Sequence, residues 1–200
     1  MVIAHHLVWT TYGTWLPNDP RGSWSQTVLS PQLAELGEID FGRRKIQPSR
    51  QIVRDFKQQA EPLLAHPTIC FDARQIEIVG AALGESLRKL NYTCYSCAVM
   101  PDHVHLLIRK HRDQAETMIE NLQAATRNML IATDGILPAE HPVWTAGGWK
   151  RFLGSPDAVR SVIHYIDGNP TKIGRPAQAW PFVKKYDGWP FHKRSDSQQN

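Results

Sequence analysis

The chain has only three cysteines, Cys70, Cys94 and Cys97, among 200 residues. So sparse and odd a set excludes a disulfide framework and fits a reducing compartment. Cys94 and Cys97 have the spacing of a redox or zinc pair. No second pair exists to complete a zinc site, however, and on a regular strand positions i and i+3 point to opposite faces. Long apolar runs are also missing. None approaches the roughly 18 residues that a membrane span needs, and the first residues lack the basic-then-apolar layout of a signal peptide, so the expectation is a cytoplasmic protein with no membrane partner. No long polar linker divides the chain, and 42% hydrophobic content is enough for one good core. We expect a single domain over residues 1–200, interrupted by an insertion at about 17–70 and ending in a basic tail at about 180–200.

Net charge is only +4, but it is unevenly placed. Residues 141–200 hold nine Lys or Arg against four Asp, a surplus of +5 that leaves the first 140 residues close to neutral. A phosphate-bearing partner would therefore be drawn to the C-terminal third. A solvated tail accounts for Lys193 and Arg194 equally well.

Val2 to Tyr12 is rich in β-branched and aromatic residues and reads as a strand, with His5 and His6 on opposite faces. The cluster Pro17-Asn18-Asp19-Pro20-Arg21-Gly22 is turn-forming. With Trp15 and Trp24 flanking Arg21, it suits a loop that stacks on bases or clasps a phosphate, or one that simply packs on itself. Ser49 is placed to cap a helix from about Arg50 to Leu64, with Ile52, Val53, Phe56 and Leu63 as its apolar stripe. Asp72 caps a second helix, whose positions Ile76, Val79, Leu83, Leu87 and Leu90 keep helical spacing. A strand over 93–99, a Met100-Pro101-Asp102 turn and a strand over 103–109 form a hairpin. An amphipathic helix follows over about 113–132, with Met118, Ile119, Leu122, Ala125 and Met129 on one side. The last strand is expected at 142–145, paired with 149–153 across Gly147-Gly148. The order strand, helix, hairpin, helix, strand is that of an α+β, ferredoxin-like antiparallel sheet with helices on one face.

The hairpin carries the sequence's most distinctive feature. His103-Val104-His105 places two imidazoles side by side on one face of a central strand, where they can grip one metal ion or lie half-buried against backbone. About sixty residues on, Ser155 as cap, Pro156 at the first helical position and Asp157 open a helix with the stripe Val159, Val162, Ile163 and Ile166. Tyr165 lies on the border of that stripe, and Asn169 sits one turn further along the same flank.

Met100-Pro101-Asp102-His103-Val104-His105-Leu106-Leu107, followed by Tyr165-Ile166 and Asn169-Pro170, resembles the REP-associated tyrosine transposases, a branch of the single-tyrosine transposases in the HUH endonuclease superfamily (the IS200-like transposase family). The opening Ala4-His5-His6-Leu7-Val8-Trp9 and the tail from Trp180 to Trp189 share in the resemblance, which leaves roughly residues 23–70 uncovered. It implies the same α+β fold, with the HUH motif on a central strand and the site on the open sheet face. It also implies Tyr165 as nucleophile, and His103, His105 and Asn169 as ligands of Mg²⁺ or Mn²⁺. Many members carry Gln where this chain has the shorter Asn169. The partner would be single-stranded or hairpin DNA, the protein a monomer or homodimer, and its location the nucleoid when DNA is bound.

Two imidazoles and a carboxamide oxygen leave coordination positions open for a phosphate oxygen, which suits a Lewis-acid role. A phenol, with an ordinary pKa near 10, needs such help as a nucleophile. Besides Arg21 and Trp15, the candidate DNA contacts are Lys150, Arg151, Lys172 and Arg175. Three readings stand side by side: a metal-dependent single-strand endonuclease and strand transferase working through a 5′-phosphotyrosine, a domesticated DNA-binding protein without cleavage, and a nucleotide hydrolase of the histidine-triad kind. The last needs a further histidine at position 107, where this chain has Leu107.

Overall fold

The computed structural model describes residues 1–28, 30–135 and 137–191. Lys193 and Arg194, part of the expected basic tail, lie outside the described residues. In chain order the elements are β1 (Ala4–Thr10), α1 (Pro31–Ala34), α2 (Arg50–Ala60) with a 3₁₀ turn Glu61–Leu63, α3 (Ala73–Lys89), β2 (Cys94–Val99), β3 (His103–Arg109), α4 (Ala115–Asp134), β4 (Trp149–Leu153), α5 (Pro156–Asp167) and α6 (Asn169–Lys172). Among the described residues no helix is long and apolar enough to cross a membrane.

The sheet is antiparallel throughout, in the order β2-β3-β1-β4, which is the ferredoxin-like arrangement. Its two faces differ in chemistry because side chains alternate along β1 and β3. On one face Leu7, Trp9, Val104, Leu106 and Ile108 meet Ile76, Val79, Leu83 and Leu87 of α3 and Met118, Ile119 and Leu122 of α4. α3 starts where expected: Asp72 accepts from the Gln75 backbone at 2.8 Å, and the Gln75 side chain returns the bond to Asp72 at 3.1 Å. The last strand is β4; Trp144 makes only a single bridge to Thr11, so the expected strand at 142–145 is a loop. Its sequence, with Pro142 first and Val143 at φ 65°, cannot continue a ladder.

The opposite face is partly covered by α5. Val159, Val162 and Ile166 pack on Ala4, Ala98, Leu107 and Leu153. Three buried side chains at about 1.5–3 kcal/mol each hold this helix down. A hydrogen bond of 2.6 Å from Ser96 Oγ to Asp167 Oδ1 fixes its far end. Ser96 reaches Asp167 because β2 contains a bulge: the register shifts between Cys94 and Ser96. The bulge also corrects the expectation for the cysteines. Cys94 and Cys97 come to the same face, inside the α3/α4 core, where burial raises the Cys94 thiol to about 12 and pushes Cys97 well up. Both are inert packing residues.

The free edge of β2 is covered by the segment after α6. The Gln178 side chain accepts from Val99 N–H at 2.9 Å and donates to Val99 C=O at 2.7 Å, and Lys184 N–H donates to Cys94 C=O at 2.8 Å. The segment lies against α3 through Trp180, which sits where a Cβ on Gly80 would be, 2.1 Å from its ring.

Candidate active site on the partly covered sheet face

Register decides which histidines meet. Residues directly opposite on neighbouring strands share a face, so Thr10 opposite His103, Val8 opposite His105 and His6 opposite Leu107 place His6, His103 and His105 on the face that α5 partly covers. His5 faces the other way, edge-on to Phe152, with both ring nitrogens buried and unpartnered. His6 Nε2 lies 3.1 Å from His105 Nδ1, and the His103 and His105 ring centroids are 4.8 Å apart.

Two of these imidazoles, His6 and His105, are kept neutral. Burial, helped by the charge of Arg151, lowers His6 to about 4. Burial also holds His105 well below the ordinary range, with His103, His6 and Lys172 adding to the effect. Neutral imidazoles keep a lone pair, the form a metal requires. His103 Nδ1 lies 2.6 Å from Asp102 Oδ1. A carboxylate there accepts a hydrogen bond from Nδ1–H, which leaves the lone pair on Nε2. Burial works to raise the Asp102 carboxyl, but the hydrogen bond and charge of His103 outweigh it and the group stays low. If His105 is likewise to present Nε2 as a ligand, its Nδ1–H must donate to His6 Nε2. His6 is then an orienting partner rather than a ligand.

Tyr165 completes the cluster. Its ring centroid is 5.6 Å from that of His105 and 6.2 Å from that of His6, and the residue is 46% exposed. The chain's other four tyrosines are engaged elsewhere. Tyr12 lies against His66 and His141, Tyr92 donates to Asp113, Tyr95 packs on Tyr186, and Tyr186 donates to Trp189 C=O.

Asn169, one turn beyond Tyr165, is buried, with its Nδ2 unpartnered. Its Oδ1 accepts from Lys172 Nζ at 3.5 Å, and the same ammonium sits 4.5 Å from the Tyr165 ring centroid. The Lys172 ammonium thus lies beside both the carboxamide oxygen and the phenol ring, and its charge is felt at His105. Among the described residues no group of three or more His, Cys, Asp or Glu is arranged to hold a metal ion. A metal here would draw on the two-histidine and carboxamide set, a donor set that suits Mg²⁺ or Mn²⁺ with open positions.

The other candidate contacts divide. Arg151 and Lys172 adjoin the histidines. Lys150 faces the opposite side of the sheet and pairs with Glu116. Arg175 donates its backbone N–H to Pro170 C=O. Arg21 grips the buried Asp19 through two bonds of 2.7 and 2.6 Å and lies 3.8 Å over the Trp15 ring, while Trp15 donates to Gly22 C=O. That loop packs on itself, yet it is seated against the histidine turn, since Thr14 Oγ1 donates to Asp102 C=O at 3.3 Å. Leu107, where the histidine-triad reading needs a histidine, is buried under α5. The sequence leaves open which of His5 and His6 lies near the site, and the register selects His6 as the partner of His105; it gives no sign of Ser96 as the anchor of the tyrosine helix or of Lys57, whose charge reaches Asp102 from α2.

No family model and no curated protein matches the chain. Two solved structures are similar to it. One is a REP-associated tyrosine transposase bound to a REP hairpin, with 13% identity and a TM-score of 0.45, over 90% of this chain and 74% of that one. The other is a putative transposase from Deinococcus radiodurans R1, with 13% identity and a TM-score of 0.36, over 88% of this chain and 94% of that one.

Proposed function

We propose that the protein is a metal-dependent single-strand DNA endonuclease and strand transferase, a transposase that acts on single-stranded or hairpin DNA through a 5′-phosphotyrosine at Tyr165. The observation that carries this reading is the apposition of Tyr165 and His105, which come from elements sixty residues apart in sequence, with ring centroids 5.6 Å apart. Tyr165 is exposed enough for a strand to reach it, and His105 is buried enough to stay neutral.

The Tyr165 phenolic oxygen attacks phosphorus and loses its proton to solvent base. The bond from phosphorus to the 3′-oxygen breaks, and that oxygen takes up a proton to become a free 3′-hydroxyl. The phosphodiester energy is kept in the tyrosine ester, so the reverse attack by a 3′-hydroxyl rejoins a strand without ATP. Mg²⁺ or Mn²⁺ held by His103, His105 and Asn169 would supply Lewis-acid charge withdrawal from the phosphate. Asp102 and His6 orient the two histidines, and Arg151 and Lys172 place positive charge where the phosphate must come. A second reading, a DNA-binding protein without cleavage, draws support from Lys172, whose ammonium already stands beside the Asn169 oxygen.

The test is a denaturing gel of the protein with Mn²⁺ and 3′-labelled hairpin oligonucleotides from the ends of its own gene. Wild type should form a covalent adduct that maps to Tyr165. Tyr165→Phe should bind DNA and form none. No adduct with any hairpin despite tight binding selects the second reading, and an adduct persisting in Tyr165→Phe places the nucleophile elsewhere.

A further inference from the structure

The segment between β1 and α3 supplies no histidine, tyrosine or carboxamide to the site, yet it carries a patterned charge. On α2, Arg50, Arg54 and Lys57 recur at i, i+4 and i+7, which places them within an arc of about 60° along roughly 10 Å of helix. The neighbouring side of the helix is fixed to the body of the protein, because Phe56 and Ala60 pack on Leu16 and Leu33. The stripe is therefore held in place rather than free to swing.

Its charges are uncompensated. Among the described residues none of the three cations has a carboxylate within salt-bridge distance. The two acidic groups nearest in sequence are otherwise engaged: Asp55 accepts from Gln51 at 2.6 Å, about 100° round the helix from Arg54, and Glu61 accepts from Thr68 at 2.7 Å. The stripe is tied to the candidate site through the loop on which its helix packs: Phe56 lies with Leu16 in one apolar cluster, and Thr14 Oγ1, two residues before Leu16, donates to Asp102 C=O at 3.3 Å.

We propose that this face of α2 is a second nucleic-acid contact, a track for the phosphates of the single strand that flanks the cut. It rests on the reading of the site as one that acts on DNA. The occupant follows from charge and alignment: three cations in a row over about 10 Å suit the regularly spaced phosphates of a nucleic-acid backbone. The contact is to backbone, so it holds the strand in register at the histidine turn without reading its sequence.

Fluorescence anisotropy with the full chain tests this, using a hairpin oligonucleotide with a long single-stranded flank and the same hairpin without one. Wild type should bind the flanked form more tightly. The triple variant Arg50→Gln, Arg54→Gln, Lys57→Gln should weaken flanked binding roughly 10- to 100-fold at about 0.1 M salt and reduce the salt slope by about 2, since each single-strand phosphate contact contributes about 0.7. It should bind the flankless hairpin as wild type does, and still form the Tyr165 adduct with the flanked one at saturating DNA, which also shows that it folds. Gln58→Lys, adding a cation beside the stripe, should strengthen flanked binding and steepen the slope. Wild-type affinity and slope in both variants would overturn the track while leaving the proposed function standing. Failure of wild type to bind either DNA would overturn both.

Discussion

Acid should unfold this protein by a route that the histidine cluster sets. His6 is lowered to about 4 by burial, while in the unfolded chain it titrates near 6.5. The folded value is the lower one, so the unfolded state binds the extra proton first. The stability contributed by a neutral His6 is whole above the unfolded value and is lost as pH falls from about 6.5 to about 4. Between about pH 7.5 and pH 5 the loss from this side chain is about 2 kcal/mol, which in a chain of this size lowers Tm by roughly 4–8 °C. His105 moves in the same direction and adds to it. The assay is thermal unfolding by circular dichroism with chelator present and no DNA, at both pH values, for wild type and His6→Gln. The variant should start less stable, because it loses the contact with His105 and the edge contact with Trp149, but its drop in Tm on acidification should be smaller by the His6 share. Equal drops in the two proteins would refute the claim that His6 is held neutral by the fold.

The remaining predictions concern anchoring. Ser96→Ala removes the bond to Asp167 and should cost about 1–1.5 kcal/mol in urea unfolding. Adduct formation should fall more than DNA affinity, and equal falls would mean that Ser96 does not position the tyrosine helix. Arg21→Ala leaves the Asp19 carboxylate, whose side chain is only 1% exposed, with the backbone N–H of residue 21 but without its countercharge, and should cost about 2–4 kcal/mol. An unchanged Tm with weakened DNA binding would instead make that loop a phosphate clasp.

Much of the scaffold was legible because local chemistry and tertiary packing agree. The Asp72 and Ser155 caps begin their helices as read, and alternation alone puts His103 and His105 on one face. What could not be read depends on partners distant in sequence. Parity says that His5 and His6 diverge, but only pairing with β3 says which one joins the site. The bulge in β2 has no local signature, yet it turns Ser96 toward α5 and brings Cys94 and Cys97 to one core. On α2 the expected stripe included Ile52, which is 52% exposed, and the helix stops at Ala60 because Pro62 cannot donate to it and a 3₁₀ turn takes over. That segment packs on a small cluster of its own, so its apolar positions answer to Leu16 and Leu33 rather than to the main core.

Tyr165 and the histidines are packed differently by the two faces of the sheet. β3, like β1, is paired on both sides and backed by the α3/α4 core, so His103 and His105 sit on one of the two inner strands. Asp102 and His6 further restrain their rings. α5 is held by three side chains and by the Ser96 bond, and no strand pairs with it. Its Tyr165 stands at the border of the packed stripe, half in solvent, with the Lys172 ammonium over its ring. In the proposed reaction the phosphate is held by the side chains of the doubly paired strand while its bond is exchanged. A tyrosine that bonded to one strand end and later released it would need room, which the weakly covered face provides. Filling that face with more apolar surface would stabilise the fold and close the approach to His105.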